Sequence, residues 1–383
     1  MKMFASMRRL AIAASLAVGV LLGAVVGAQD TVKIGVGAPM TGRSAAFGIQ
    51  VRYGVEAAVE ELNAKGGILG KKVEFVMKDD ESSANSAAVV AQSLAGDKDI
   101  VAVIGHFNSD CSSAAKPIYT EAGVVMFSPA STNVEITKNS DWVFRNIFND
   151  RSQGEALALY VAKAMKMKKV AVLYENDTYG RGLAEYFKGK AKELGLEITN
   201  DLSYESDATD FRPLLTQLRA TKPDVIVTAG LYKSGGTISR QARELGLRQP
   251  LLGGDGMFSD ELAKIGGAAA EGYIVSCPFI MEADERAIAL RDKIKAKNGV
   301  DGDVWAALAH DAVMIIAEAA TRQNSTAREA IRNGIAGMND RESAYQGITG
   351  TTYFDVEGDT VKNVFFGTIK GGKFVPAPVQ LPE

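Results

Sequence analysis

The chain has 383 residues, with 43 basic and 46 acidic side chains, two histidines and two cysteines. Residues 1–28 hold three of the basic residues and none of the acidic ones, so the remaining 355 carry a net charge of −6. That balance excludes nucleic acid and anionic membrane as partners, since both select basic surfaces. Two histidines and no Cys-x-x-Cys leave little to build a zinc site from, and neither a metal nor a cofactor is expected.

Lys2, Arg8 and Arg9 open the chain, residues 10–26 are almost wholly apolar, and Val26-Gly27-Ala28 closes the run on small residues. This is the pattern of a secretory signal peptide cleaved after residue 28, with delivery to the periplasm. A single membrane anchor is the competing reading, because the segment approaches spanning length. No later apolar run reads as long enough to span a bilayer, and the remaining length suits two domains.

From residue 31 short apolar runs alternate with amphipathic stretches. Strands are expected at Val32–Gly37, Val73–Lys78, Ile100–Ile104, Val124–Phe127, Val170–Tyr174, Ile198–Tyr204, Val225–Thr228 and Tyr273–Cys277. The first helix follows from Val51, Val55, Ala58, Val59 and Leu62 at helical spacing, stopped by Gly66-Gly67. Further helices are expected at Ala84–Ala95, Ser112–Glu121, Gln153–Met165, Gly182–Leu194, Phe211–Ala220, Gly236–Leu245, Glu285–Lys297 and Val304–Arg322. This alternation means α/β architecture, with parallel sheets flanked by helices. Val32–Val36 leading to Phe47-Gly48, and Lys169–Leu173 leading to Tyr179-Gly180, repeat one design about 132 residues apart. Two similar lobes follow, and ligands of such sheets sit at the carboxyl ends of the strands. Cys111 and Cys277 fall in different lobes and are expected as free thiols.

Three loops carry the chemistry. Gly105–Asp110 joins a buried strand to a helix, placing Ser109 beside unpaired backbone N–H groups that suit a carboxylate; a plain helix cap is the alternative. Phe127–Asn133 offers carbonyls and hydroxyls for an ammonium group, or is an ordinary polar turn. Gly253-Gly254-Asp255-Gly256 puts one carboxylate among glycines that let a ligand come close, or is a solvated turn. An anion site, acceptors and a lone acid together complement a zwitterion.

The motifs Asn63-Ala64-Lys65-Gly66-Gly67-Ile68, Val103-Ile104-Gly105-His106, Ser128-Pro129-Ala130, Tyr179-Gly180-Arg181-Gly182-Leu183-Ala184 and Arg240-Gln241-Ala242 stand in order along residues 31–370. With them the chain resembles the periplasmic binding proteins for branched-chain and related amino acids, receptors of ATP-driven (ABC) importers. The resemblance implies a two-lobed fold of type I with a three-strand hinge, crossing near Phe144–Asn149, Ser276–Ile280 and Phe354–Glu357. Lobe 1 would be 29–148 plus 279–355, and lobe 2 would be 149–278 plus 356–383. It implies that Ser109 and Thr132, with the backbone of Ala130, hold the ligand's carboxylate and amine. Tyr179 would close from the second lobe, Asp255 would pair with the ammonium, and Phe47 and Phe107 would line the side-chain pocket. A monomer is implied, with a small amino acid and an inner-membrane ABC permease as partners and no catalysis.

The chain departs from the family in four places. Leu231 stands where an aromatic residue is common, Asp255 is shorter than the usual glutamate, and Asp303 replaces an apolar pocket residue. Ser82 and Asn108 occupy the positions of a small disulfide. These changes put leucine in doubt and leave the headgroup reading intact. The same fold could instead bind an amide, a polyol or an aromatic acid, or act as a sensor module. Ser113-Ala114-Ala115-Lys116 matches the Ser-x-x-Lys of penicillin-recognising serine hydrolases, but the motif's companion elements are lacking. Gly35-Val36-Gly37 lacks the third glycine of a dinucleotide loop. His310-Asp311 and His106 read as structural.

Overall fold

The structure is a computed structural model that describes residues 31–382; the expected signal peptide lies outside the described residues. The first sheet comprises β1 (Thr31–Ala38), β2 (Lys72–Asp79), β3 (Ile100–Gly105), β4 (Val125–Ser128) and β5 (Val143–Arg145), all parallel, in the order β2-β1-β3-β4-β5. Its central strands are apolar on both faces because helices cover both. Those helices include α1 (Ala45–Ala64), α2 (Ala84–Gly96) and α3 (Ser109–Ala122). Gly66 and Gly67 end α1 with φ of 98° and 79°, and Gly123 ends α3 with φ of 62°.

The chain then builds α4 (Asp150–Leu159), which continues into one π turn, Tyr160–Ala164, closed by Met165 N–H on Tyr160 O. The second sheet is formed from β6 (Lys169–Glu175), β7 (Glu197–Tyr204), β8 (Val225–Ala229), β9 (Leu251–Gly253) and β10 (Ile274–Cys277). Helices α5 (Thr178–Glu193), α6 (Arg212–Thr221), α7 (Tyr232–Glu244) and α8 (Asp260–Gly266) connect them. Next, α9 (Glu285–Asn298), α10 (Val304–Arg322) and α11 (Arg328–Ala336) return to the first sheet, where α10 packs along α1 and touches β3. A small hairpin of β11 (Tyr345–Gly347) and β12 (Gly350–Thr352) leans on α10, before β13 (Phe365–Lys370) and β14 (Lys373–Pro376) rejoin the second sheet. That sheet runs β14-β13-β10-β9-β8-β6-β7, parallel from β10 to β7 and antiparallel at its β13–β14 edge.

The eight expected strands and nine expected helices all form. Strands β5 and β9 escaped the periodicity because each is only three residues long, and the β11–β14 pairs because their alternation is broken by turns. One expectation is corrected. Helix α10 is long and apolar enough by composition to cross a bilayer, with a mean hydropathy of 1.3, yet 83% of that window is buried inside the protein. Gly54 explains its fit: a Cβ there would lie 2.0 Å from Ala306 O, so α1 and α10 meet backbone to backbone.

Arg145, fully buried at the end of β5, ties that strand to the segment between β12 and β13. Its Nε and Nη2 donate to Asp359 at 2.7 and 3.1 Å, and Asn149 Nδ2 donates to the same carboxylate at 2.6 Å. Its Nη1 donates to Ser131 O and Asn133 O, so the same guanidinium also fixes one loop of the cleft.

Candidate functional site

The carboxyl ends of β3, β4, β6, β8 and β9 face one another across the gap between the lobes. A small cavity of about 20 Å³ lies there, lined by Phe107, Asn108, Ser109, Ala130, Thr132, Tyr179, Leu231, Asp255, Gly256 and Trp305. Seven of the eight residues singled out in the sequence are among them. The eighth, Phe47, stands one layer behind, its ring stacked on Phe107 with centroids 4.6 Å apart.

On the first lobe, Asn108 rather than Ser109 is the helix cap, and its side chain makes no capping bond. Ser112 N–H is the first in α3 to reach an intrahelical carbonyl, that of Asn108. The N–H groups of the first turn therefore point at the cavity beside the Ser109 hydroxyl, which accepts from Asn133 N–H at 3.4 Å. His106 is buried below, with Nδ1 2.7 Å from Asp80 and Nε2 3.3 Å from Tyr119 OH. Its carbonyl accepts from Ser112, Ser128 and Ser131, so it buttresses both loops. Where relatives are expected to carry a disulfide, Ser44 joins the two positions: its N–H donates to Ser82 Oγ, and its Oγ accepts from Asn108 Nδ2, each at 3.0 Å.

On the second lobe, Tyr179 OH donates to Asp255 Oδ1 at 2.7 Å, and Gly256 N–H donates to the same oxygen at 3.0 Å. Burial pushes Asp255 up to about 6, against the neighbouring Gln153 amide and the bonds from Tyr179 and Gly256 that pull it down. The same burial and the neighbouring Asp255 drive the Tyr179 phenol well above its ordinary value. The glycines around Asp255 also make room for the protein itself. A Cβ on Gly254 would lie 2.4 Å from Tyr179 OH and from Leu183 Cδ2, and one on Gly256 2.5 Å from Gly230 O. They admit the protein's own groups, which in turn aim the carboxylate.

The lobes are shut. Arg43 of the first meets Glu175 and Asp177 of the second, the latter at 2.9 Å. Asp110 accepts from Thr178 N–H at 3.1 Å and from the Thr178 hydroxyl. Asn133 Nδ2 donates to Thr178 O at 2.9 Å, and Lys233 Nζ to Gly42 O at 3.1 Å. Trp305 Nε1 donates across the gap to Phe258 O at 3.0 Å while its ring packs edge-on against Phe47 and Phe107. Tyr232, next to Leu231, also meets Phe47 edge-on.

Asn108, Gly256 and Trp305 line the cavity without having been singled out. Asp303, two residues before Trp305, caps α10 by accepting from Trp305 N–H and Ala306 N–H. The hydrolase motif lacks the geometry its chemistry needs, because Ser113 is exposed and Lys116 Nζ is committed to the carbonyls of Glu135 and Lys138. Asp311, beside His310, accepts from Ile348 N–H, Thr349 N–H and the Thr349 hydroxyl, a structural set. Cys111 and Cys277 are buried free thiols.

Among known proteins, the Leu/Ile/Val-binding protein homolog 2 of Brucella abortus (strain 2308) is 40% identical over 68% of this chain and 71% of its own. The leucine-, isoleucine-, valine-, threonine- and alanine-binding protein of Pseudomonas aeruginosa is 31% identical over 88% of this chain and 89% of its own. The branched-chain amino acid transporter substrate binding protein of Streptococcus pneumoniae, solved with isoleucine, superposes with a TM-score of 0.85 at 33% identity, covering 92% of this chain and all of that one. The family described as periplasmic binding protein matches residues 31–373, and this chain belongs to it.

Proposed function

We propose that this protein is an exported, non-catalytic receptor that closes on a small neutral α-amino acid and hands it to an inner-membrane ABC permease. One observation carries the reading: a cavity between the lobes has opposite poles on its two sides. The first-turn N–H groups of α3 with Ser109 form one, and Asp255 held by Tyr179 forms the other. A helix N-terminus suits the ligand's carboxylate. A buried carboxylate suits its ammonium, and water exclusion strengthens both. With the lobes shut the cavity of about 20 Å³ is far smaller than ordinary ligand pockets of roughly 300–1,000 Å³, and Phe107, Leu231 and Trp305 line its apolar side with Phe47 stacked behind. Short side chains are therefore favoured over leucine. The Pseudomonas relative, whose name includes threonine and alanine, supports that choice.

Closure follows from differential affinity: the open protein offers one pole, the closed protein both, so the ligand shifts the population towards the closed form that the permease reads. Calorimetry with alanine, threonine, valine and leucine, alongside benzoate and an amide, tests the reading. Micromolar or tighter binding of the short amino acids is expected, and Asp255→Asn should weaken it by at least about 2 kcal/mol, roughly 30-fold. Uptake of benzoate with no response to any α-amino acid would overturn it.

A further inference from the structure

A second cavity, of about 620 Å³, shares no lining residue with the first and falls within the ordinary range of ligand pockets, roughly 300–1,000 Å³. One wall is the start of α1 and the loop between α9 and α10, which pack beside the first sheet. The other is residues 258–261 with the β13–β14 edge of the second sheet. The segment between β10 and α9 runs past both. Trp305, which lines the first cavity, donates to Phe258 O, which belongs to the second, and so stands between them. Two walls from different lobes are needed, so this cavity is complete only while the lobes are shut.

Its body is apolar and aromatic, with Tyr53 on one wall and the stacked rings of Phe258 and Phe374, centroids 4.4 Å apart, on the other. Most of its charges are already paired: Lys264 with Glu261 at 2.6 Å, Arg291 with Glu282 at 3.5 Å and Lys295 with Asp301 at 2.8 Å. Of the three that remain, Lys373 bears on Asp260 and Asp301, and the charge that bears on Asp303 is Asp260, of the same sign. Resemblance put Asp303 in the amino-acid pocket, but it stands in the wall of this second cavity instead. Its Oδ1 accepts from Trp305 N–H and Ala306 N–H, while Oδ2 accepts from no group of the protein. The loop that carries it is fixed to α1, since Asp303 N–H donates to Gln50 Oε1 at 3.1 Å and Gln50 Nε2 donates to Asp301 O at 3.0 Å. Burial, with Asp260 adding to it, pushes Asp303 up to about 8 against its two N–H bonds, as befits an acid without a cation.

We propose that this cavity is a second binding site, for a small organic cation with an aromatic or aliphatic body, whose ammonium group rests on Asp303 Oδ2 and whose body lies against Tyr53, Phe258 and Phe374. Aromatic faces attract the same charge that the carboxylate does. Because the occupant touches both lobes, it favours the shut form and by linkage tightens the ligand of the first cavity. The site itself is independent of the amino-acid reading; only this coupling rests on it.

The test uses the full mature chain, phenylethylammonium as the cation, phenylpropionate as an anion of similar shape, L-alanine as the first ligand, and calorimetry. Phenylethylammonium should bind the alanine-saturated protein with a dissociation constant below about 1 mM, and phenylpropionate at least about ten-fold more weakly. Each of phenylethylammonium and L-alanine should tighten the other by about three-fold or more. Asp303→Asn, whose asparagine still caps α10, should weaken the cation by about ten-fold or more. Phe374→Ala should weaken it by about three-fold or more and leave the affinity for L-alanine unchanged. No binding of phenylethylammonium, its displacement by L-alanine, or equal binding of phenylpropionate would each overturn the proposal. So would undiminished affinity in Asp303→Asn with native circular dichroism; should that variant not fold, unchanged affinity in Phe374→Ala decides against the site. Protein that binds phenylethylammonium through Asp303 but binds no α-amino acid would sink the amino-acid reading and leave the second site standing.

Discussion

Arg43 is the residue by which closure can be measured. It projects from the β1–α1 loop of one lobe and reaches Glu175 and Asp177 of the other, with Asp110 at 3.7 Å. The side chains of Glu175 and Asp177 are only 3% and 8% exposed in this closed form, so replacing Arg43 by Met leaves two buried carboxylates facing each other without a cation. Breaking a buried pair from one side costs about 3–5 kcal/mol. Here the lobes can escape the penalty by opening, so the cost appears as a lost closed population rather than as unfolding. At about 3 kcal/mol the closed-to-open ratio falls roughly 150-fold. The apparent dissociation constant rises by the same factor where the closed form is a minority in the free protein, and by less where it dominates. Calorimetry gives the affinity, and small-angle scattering gives the radius of gyration with and without ligand. Arg43→Met should scatter as a larger particle without ligand and contract only at high ligand concentration; Arg43→Lys, which keeps the charge but loses the fork, should fall between. Affinity within about three-fold of wild type and unchanged scattering would refute the latch.

Other outcomes follow from the same geometry. Tyr179→Phe keeps the ring but removes the donor to Asp255, and should weaken amino-acid binding by about 0.5–1.5 kcal/mol in calorimetry. Protons compete with the ammonium for Asp255, so affinity should fall as pH drops below about 6, and isothermal titrations across that range check it. Arg145→Leu strips Asp359 and two loop carbonyls of their partner and should cost about 3–5 kcal/mol in urea unfolding. Gly54→Ala forces α1 from α10 and should lower stability by at least about 1–3 kcal/mol, read in the same way. Burial alone would lower His310, but the neighbouring Asp311 carboxylate and the bond to Glu61 more than reverse this, while His310 holds Glu61 down at about 2. The raised histidine stabilises fully below 6.5 and the lowered glutamate fully above 4.5, so the melting-temperature advantage of wild type over His310→Gln should peak between those values. It should shrink as pH rises through the folded-state value of the histidine.

The long elements were legible because burial on one or both faces imposes a period, as in the buried row Val51, Val55, Ala58, Val59 and Leu62. Three-residue strands such as Val143–Arg145 carry no period, and their residues become strands only through the neighbours they pair with. Within the cleft, Ser109, Thr132 and Asp255 were legible from loop chemistry and from resemblance. Trp305 was hidden inside an apolar helix pattern, where an aromatic reads as core. Ser44 was invisible too: nothing in sequence marks it as the link between Ser82 and Asn108.

Under the proposed export route, the apolar length of α10 has a consequence. A chain translocated unfolded presents Val304–Arg322 to the export channel after α1 has already passed and cannot cover it there, and a segment of that length invites lateral escape into lipid. His310 and Asp311 sit near its middle. An acid at the centre of a spanning helix costs about 2.5–3.5 kcal/mol on the insertion scale, enough to tip so alanine-rich a segment towards passage. The carboxylate that later anchors the β11–β12 hairpin would thus first serve as a ticket through the membrane.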